Sequence, residues 1–124
     1  MKILALVTRQ KSCQRLIDRS LQLAQSRHGK LSVVHVVQNG ENFLGNPEEG
    51  AALEYLFDIS KQAGADMTVL RSDDVIATIT HFVREQAIDV VVLGASPRDR
   101  DAFKGKLEKK LPGVEFFVVT ADEQ

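Results

Sequence analysis

Short uninterrupted apolar runs alternate along the chain with longer stretches in which apolar residues recur every third or fourth position. The runs Ile3–Val7, Leu31–Val37, Met67–Leu70, Val90–Leu93 and Val114–Thr120 predict five strands. Between the first two, Cys13, Leu16, Ile17, Leu21, Ala24 and His28 form one helical stripe, with Ser12 as the expected cap and Gly29 as the expected left-handed exit. A second helix opens at Asn46-Pro47-Glu48-Glu49, buries Ala52, Leu56, Ile59 and Ala63 with Tyr55 on its flank, and closes at Gly64. A third starts at Ser72-Asp73-Asp74, whose acids complement the backbone dipole, and faces Ile76, Ile79, Val83 and Ala87 to the core. A fourth runs from Pro97 to Leu111 with Phe103, Leu107 and Leu111 in line, and Pro112-Gly113 stops it.

The stretch Ile88–Arg98 organises this pattern. Val90–Leu93 has no polar interruption, as expected of a strand buried on both faces, and is read as the centre of the sheet. Gly94 follows and lets the backbone turn, and Ser96, Pro97 and Asp99 fall at the N-cap, N1 and N3 positions of the fourth helix. Five strands separated by four helices require right-handed crossovers, so the fold class is α/β, a parallel sheet with helices on both faces. Ligands in such sheets bind beyond the carboxyl ends of the strands. The loop Gln38–Gly45 lies at that edge and is placed to act as a lid.

Composition narrows the function classes. The 124 residues fit one domain, 1–124, and 44% hydrophobic with 27% charged is ordinary for a globular protein. With 16 basic and 17 acidic residues, the net charge of -1 gives no long-range field towards nucleic acid or an anionic membrane, so neither is expected as a partner. Cys13 is the single cysteine and can form no internal disulfide, which points to the cytoplasm. The apolar run Ile3–Val7 is too short for a signal peptide or a membrane span.

Several known signatures are missing. No glycine lies in Thr8–Ser12, so the dinucleotide fingerprint fails. Gly29-Lys30 falls at a helix exit and Gly105-Lys106 inside a helical pattern, so neither belongs to a phosphate-binding loop of the G-x-x-x-x-G-K-[ST] type. A phosphoacceptor domain would place acids where Thr8 and Ser72 stand, and no G-x-S-x-G occurs.

The element order, LSVVHVV at Leu31–Val37, DDVIATITHFVREQAIDVVVLG at Asp73–Gly94 and the final EFFVVT together resemble the universal stress protein family over most of the chain. Gly94, Ser96 and Arg98 also match a G-x-S-x-R pattern of the related domain in potassium-sensing histidine kinases. The resemblance implies a five-stranded sheet in the order 3-2-1-4-5, a Rossmann-like fold of the adenine nucleotide alpha hydrolase type. It also implies a homodimer through the last strand, at Phe116, Phe117, Val118 and Val119. It further implies a crevice at the ends of strands one, two and four, where Val7, Thr8, Arg9, Val36, Val37, Gly94, Ala95, Ser96, Arg98 and Gly105 are the candidate binding residues. ATP-binding members carry Asp at the position of Thr8 and G-x2-G-x9-G-[ST] after strand four. Here Pro97 replaces the second glycine and Gly105-Lys106 comes two residues early. A cyclic-dinucleotide pattern of the kinase domains keeps its spacing but not its residues, with Thr8-Arg9-Gln10 and, twenty residues on, Leu31–His35.

No cofactor is required by any motif, and the altered motif weighs against ATP. Pro97 has no N–H to donate, and Thr8 cannot act as an aspartate would. Two readings stand for the fourth helix start: a site for one phosphate at its N-terminus with Arg98 and Arg100, or a cap in which those arginines pair with Asp99 and Asp101. Three functions follow in order: a non-enzymatic, homodimeric regulatory or interaction module; a module binding ATP, AMP or a cyclic dinucleotide, a small phosphate-bearing ligand; and, last, a weak nucleotide hydrolase, since no acid/base pair or metal motif is visible. His35 is read as structural, His81 as a boundary residue and Cys13 as core packing. The lysines of the fourth helix, Lys104, Lys106, Lys109 and Lys110, are read as a solvated face.

Overall fold

The computed structural model describes residues 1–7, 10–42, 44, 46–94 and 100–119, and for 10–12 and 100–102 the backbone alone. The elements run β1 (Lys2–Val7), α1 (Gln10–Ser26), β2 (Lys30–Gln38), α2 (Glu49–Gln62), β3 (Asp66–Ser72), α3 (Val75–Glu85), β4 (Val90–Gly94), α4 (Arg100–Lys110) and β5 (Glu115–Val119). All four strand pairings are parallel. Their order is β3-β2-β1-β4-β5, as the family resemblance implies.

The central strand is therefore β1 rather than β4. Both read alike in sequence because both are paired on two sides and buried on two faces, as Ile3 to Val7 and Val90 to Leu93 are. Burying side chains such as Val91 and Leu4 contributes roughly 1.5 to 3 kcal/mol each. Alternate strand residues feed two cores. One joins Ile3, Ala5, Val33 and Val37 to α1 and α2 through Cys13, Leu16, Ile17, Ala52 and Leu56. The other joins Leu4, Leu6, Val34, Val91 and Leu93 to α3 and α4 through Ile79, Val83 and Leu107.

Helix ends differ from the sequence reading in instructive ways. Helix α1 begins at Gln10, so Ser12 lies inside it rather than capping it. Its left-handed exit is His28, φ 55°, and not Gly29. The Gly29 N–H closes the Schellman turn onto Ala24 O at 2.7 Å. A glycine fits closely there: a Cβ would lie 3.0 Å from Met1 O and 3.2 Å from Ile3 Cδ1, so these neighbours would have to shift. Ala87, expected in the core, is instead an exposed left-handed exit at φ 53°. The same turn folds Ile88 back, with its N–H on Val83 O at 3.0 Å, so Ile88 takes the buried place.

Gly64, φ 69°, ends α2 as expected. Asp74 caps α3 by accepting the Ala77 N–H at 3.1 Å. The expected capping of α4 by Ser96, Pro97 and Asp99 and the end of β5 at Thr120 lie outside the described residues. Edge strand β5 is half-buried. Phe116 packs on the α3/α4 side and Phe117 on the α1/α2 side, beneath the Arg27 guanidinium at 5.3 Å. Arg27 also grips both oxygens of Glu115, at 2.7 and 3.2 Å. This bond holds the Glu115 carboxyl below its ordinary range.

Ala87 carries a Cβ where the backbone favours glycine. Ala87→Gly should therefore stabilise the fold by about 0.5–1 kcal/mol, a rise of about 2–4 °C in Tm. Differential scanning calorimetry checks the sign.

Candidate functional site

Parallel pairing aligns the carboxyl ends of all five strands at one edge, at Val7, Gln38, Ser72, Gly94 and Val119. After β1 the chain leaves towards the α1/α2 layer, and after β4 it leaves towards the α3/α4 layer. A crevice must open where neighbouring strands send their helices to opposite faces. A cavity of about 510 Å3 adjoins this edge. Leu6 and Val7 of β1, His35 to Gln38 of β2 and the loop residues Gly40, Glu41 and Asn42 line it, with Val75 and Ile79 of α3 and Phe103 of α4.

Of the residues proposed from sequence, Val7, Val36 and Val37 stand together on this wall. Gly94 ends β4, exposed, one residue beyond the Leu6–Leu93 pair. Gly105 lies half-buried within α4, one turn from Phe103's end of the helix, and is not among the lining residues. Thr8, Arg9, Ala95, Ser96 and Arg98 lie outside the described residues. The loop after β2 does reach over the carboxyl edge, as its length and position suggest. The contributions of Phe103, Val75 and Ile79 were hidden in sequence because their apolar spacing reads only as core.

His35 joins β1 to that loop. It is 3% exposed, with Nδ1 2.8 Å from Val7 O and Nε2 3.0 Å from the Leu44 N. A carbonyl only accepts and an amide N–H only donates, so the ring is the neutral Nδ1–H tautomer. Burial pushes its pKa below the ordinary 6.5 and the Arg71 charge adds to this, against the raising effect of the Val7 bond. Arg71 in turn donates to Glu41 O at 3.2 Å and pairs with Glu49 at 3.2 Å, and Asn39 donates to Asp73.

Among the described lining residues, the only formal charge at neutral pH is therefore the Glu41 carboxylate. The rest of the wall combines the apolar side chains of Leu6, Val36, Val75, Ile79 and Phe103 with the polar groups of Gln38 and Asn42 and the backbone of Gly40. Such a surface suits a flat heterocycle and a sugar better than a cluster of phosphates. Among the described residues no three His, Cys, Asp or Glu side chains converge as metal ligands would, and no helix is long and apolar enough to cross a membrane.

Elsewhere, His81 is exposed and lies 3.5 Å from Glu85 on α3. Lys104 pairs with Glu108 at 3.3 Å, and Lys106, Lys109 and Lys110 are exposed. Cys13 is fully buried and its thiol is pushed up to about 12 by burial, so it stays protonated and shielded. A disulfide-exchange reagent should leave Cys13 unlabelled in the folded protein and label it fully in denaturant; rapid labelling of the native chain would contradict this packing.

The family model for the universal stress protein family matches residues 1–107. No curated protein matches the chain. Among solved structures, a universal stress protein in complex with cAMP aligns over 98% of each chain with a TM-score of 0.71 and 15% identity. The universal stress protein of Archaeoglobus fulgidus aligns over 95% of this chain and 97% of its own, with a TM-score of 0.65 and 17% identity. A family member from Arabidopsis thaliana with AMP bound covers 99% of this chain and 93% of its own, with a TM-score of 0.65 and 14% identity. The sheet order, the two helical layers and the match across most of the sequence establish that this chain belongs to the universal stress protein family.

Proposed function

We propose that the protein is a non-catalytic regulatory module that binds an adenine nucleotide bearing a single phosphate in the cavity at the carboxyl edge of β1 and β2. The observation that carries this reading is the cavity itself, about 510 Å3 at the carboxyl edge of β1 and β2, beside the switch point, with apolar and polar lining groups and one carboxylate among its described residues. Similar folds are described in complex with cAMP, with dAMP and with AMP. Val7, Val36 and Val37 would flank the base. On sequence grounds Thr8, Arg9, Gly94, Ala95, Ser96 and Arg98 would supply the phosphate side, with Gly105 further along α4.

A triphosphate fits less well. The described wall offers no cation to balance it, and the motif that holds it in ATP-binding members is altered at Thr8 and Pro97. Catalysis is disfavoured because His35 already uses both ring nitrogens, which leaves the Glu41 carboxylate as the one ionisable side chain uncommitted to such bonds among the described lining residues. The module is proposed to work in the cytoplasm, as its lone thiol suggests.

A second observation favours self-association. Strand β5 ends the sheet with an unpaired outer edge among the described residues, and its Phe116, Phe117 and Val118 are half-buried. Two copies joined antiparallel there would complete both ladders and cover these side chains. Sedimentation should show a dimer at tens of micromolar, and Val118→Pro, which removes a backbone donor, should shift it to monomer. A wild-type monomer under those conditions would refute the pairing.

Thermal shift separates the nucleotide readings. AMP or cAMP at about 100 times its dissociation constant should add about 2.7 kcal/mol of stability, with ATP giving a smaller gain at equal concentration. A larger effect of ATP, or none from any of them, would overturn the assignment.

A further inference from the structure

The loop beside the cavity is anchored by contacts of different chemistry. Arg71 holds Glu41 O, Asn39 holds Asp73, and His35 Nε2 holds the Leu44 N–H at 3.0 Å. The third anchor is unlike the others. Leu44 is 3% exposed and sits at φ 53°, a left-handed conformation that branched side chains disfavour. Burial and the His35 bond therefore hold Leu44 against its local preference.

Only a neutral imidazole can make that bond. Its Nε2 lone pair accepts from Leu44, while the Nδ1 proton is committed to Val7 O at 2.8 Å. Adding a proton at Nε2 sets donor against donor, and the ring cannot turn over without breaking the Val7 bond as well. We propose that His35 is an acid-sensitive latch: a solvent proton bound at Nε2 breaks the hydrogen bond to Leu44, frees Leu44 and the lining residues Gly40, Glu41 and Asn42, and weakens ligand binding in the cavity.

Among the described residues, the charge that shifts the ring acts against its protonation. Arg71 of β3 repels an imidazolium and, being paired with Glu49 of α2, stays in place. On the same face, among the described residues, α1 offers the Cys13 thiol and α2 the Tyr55 phenol, both held protonated by burial, and β1 offers the Val7 carbonyl. Glu41 in the loop is the one carboxylate on the cavity wall among the described residues, and it moves away with the loop. The folded-state pKa lies below the unfolded value, so the unfolded or opened chain binds the proton more tightly. Stability of the closed loop is present above about pH 6.5 and is lost as pH falls through the window below it.

The ligand half of the proposal rests on the cavity being the nucleotide site; the latch does not. The test is amide hydrogen exchange by NMR on the whole chain, with intrinsic rates corrected for pH. Between about pH 7 and about pH 4.5 the protection of the Leu44 amide should fall about tenfold or more, while Ala5, Val34 and Val92 in the sheet keep theirs. The His35 ring nitrogens should pass from the Nδ1–H tautomer to imidazolium over the same range. In His35→Gln, whose amide both donates and accepts at any pH, Leu44 protection should no longer depend on pH. AMP affinity, measured alongside, should fall with the same midpoint in the wild type.

Leu44 protection that is constant with pH would overturn the latch. So would loss in step with Val92, which would mark global unfolding, or a pH dependence that survives in the variant. AMP failing to bind even at pH 7 would overturn the nucleotide reading and the ligand half of this one, while the Leu44 signal would still decide the latch.

Discussion

The structure depends on one constraint: β1 must pair on both sides, with β2 and with β4, and be buried on both faces. A strand so enclosed can carry no polar side chain, and Ile3 to Val7 carries none. Beyond β1 the chain goes to the α1/α2 layer, and beyond its neighbour β4 it goes to the α3/α4 layer. The gap between those exits is the crevice. The site is thus a consequence of strand order before any lining residue is considered.

Among the described residues the buried polar side chains of this apolar frame are satisfied, apart from the Ser60 hydroxyl of α2, and that requirement shapes the site. The Val7 carbonyl at the end of β1 is met by the His35 side chain, which reaches it from the paired register position and spends its second nitrogen on Leu44. One buried side chain thereby links the central strand to the loop that lines the cavity. Arg71, one residue from the end of β3, repeats the device with a fixed charge on Glu41 and Glu49. The loop is thus held by side chains of the sheet as well as by its own turn, in which the Glu41 N–H donates to Gln38 O at 3.1 Å.

Much of this was legible in the sequence and some was not, for physical reasons. Uninterrupted valine runs revealed buried strands, but they could not tell β4 from the true centre, β1, since burial on two faces leaves the same signature in both. Helix stripes are readable, whereas one exit falls at His28 rather than Gly29 and another at Ala87, which the stripe assigns to the core, because both residues take conformations that composition assigns to glycine. There the Schellman hydrogen bonds and the close approach of Met1 to Gly29 outweigh local preference. Val7, Val36 and Val37 could be assigned to the crevice from the family pattern. Phe103 and Ile79 could not, because a residue lining a cavity and one filling a core share the same helical spacing, and only the packing distinguishes them.

The central claim is that the cavity at the carboxyl edge of β1 and β2 is the ligand site. A titration of the isotope-labelled protein with AMP, followed by backbone amide shifts, tests it most directly. The account predicts saturable changes concentrated at Val7, Val36, Val37, Gly40 and Asn42, with the far end of the sheet at Lys2, Lys30 and Glu115 unmoved. Shifts gathered instead in the groove between α1 and β5, at Leu23, Ser26 and Phe117, would contradict it.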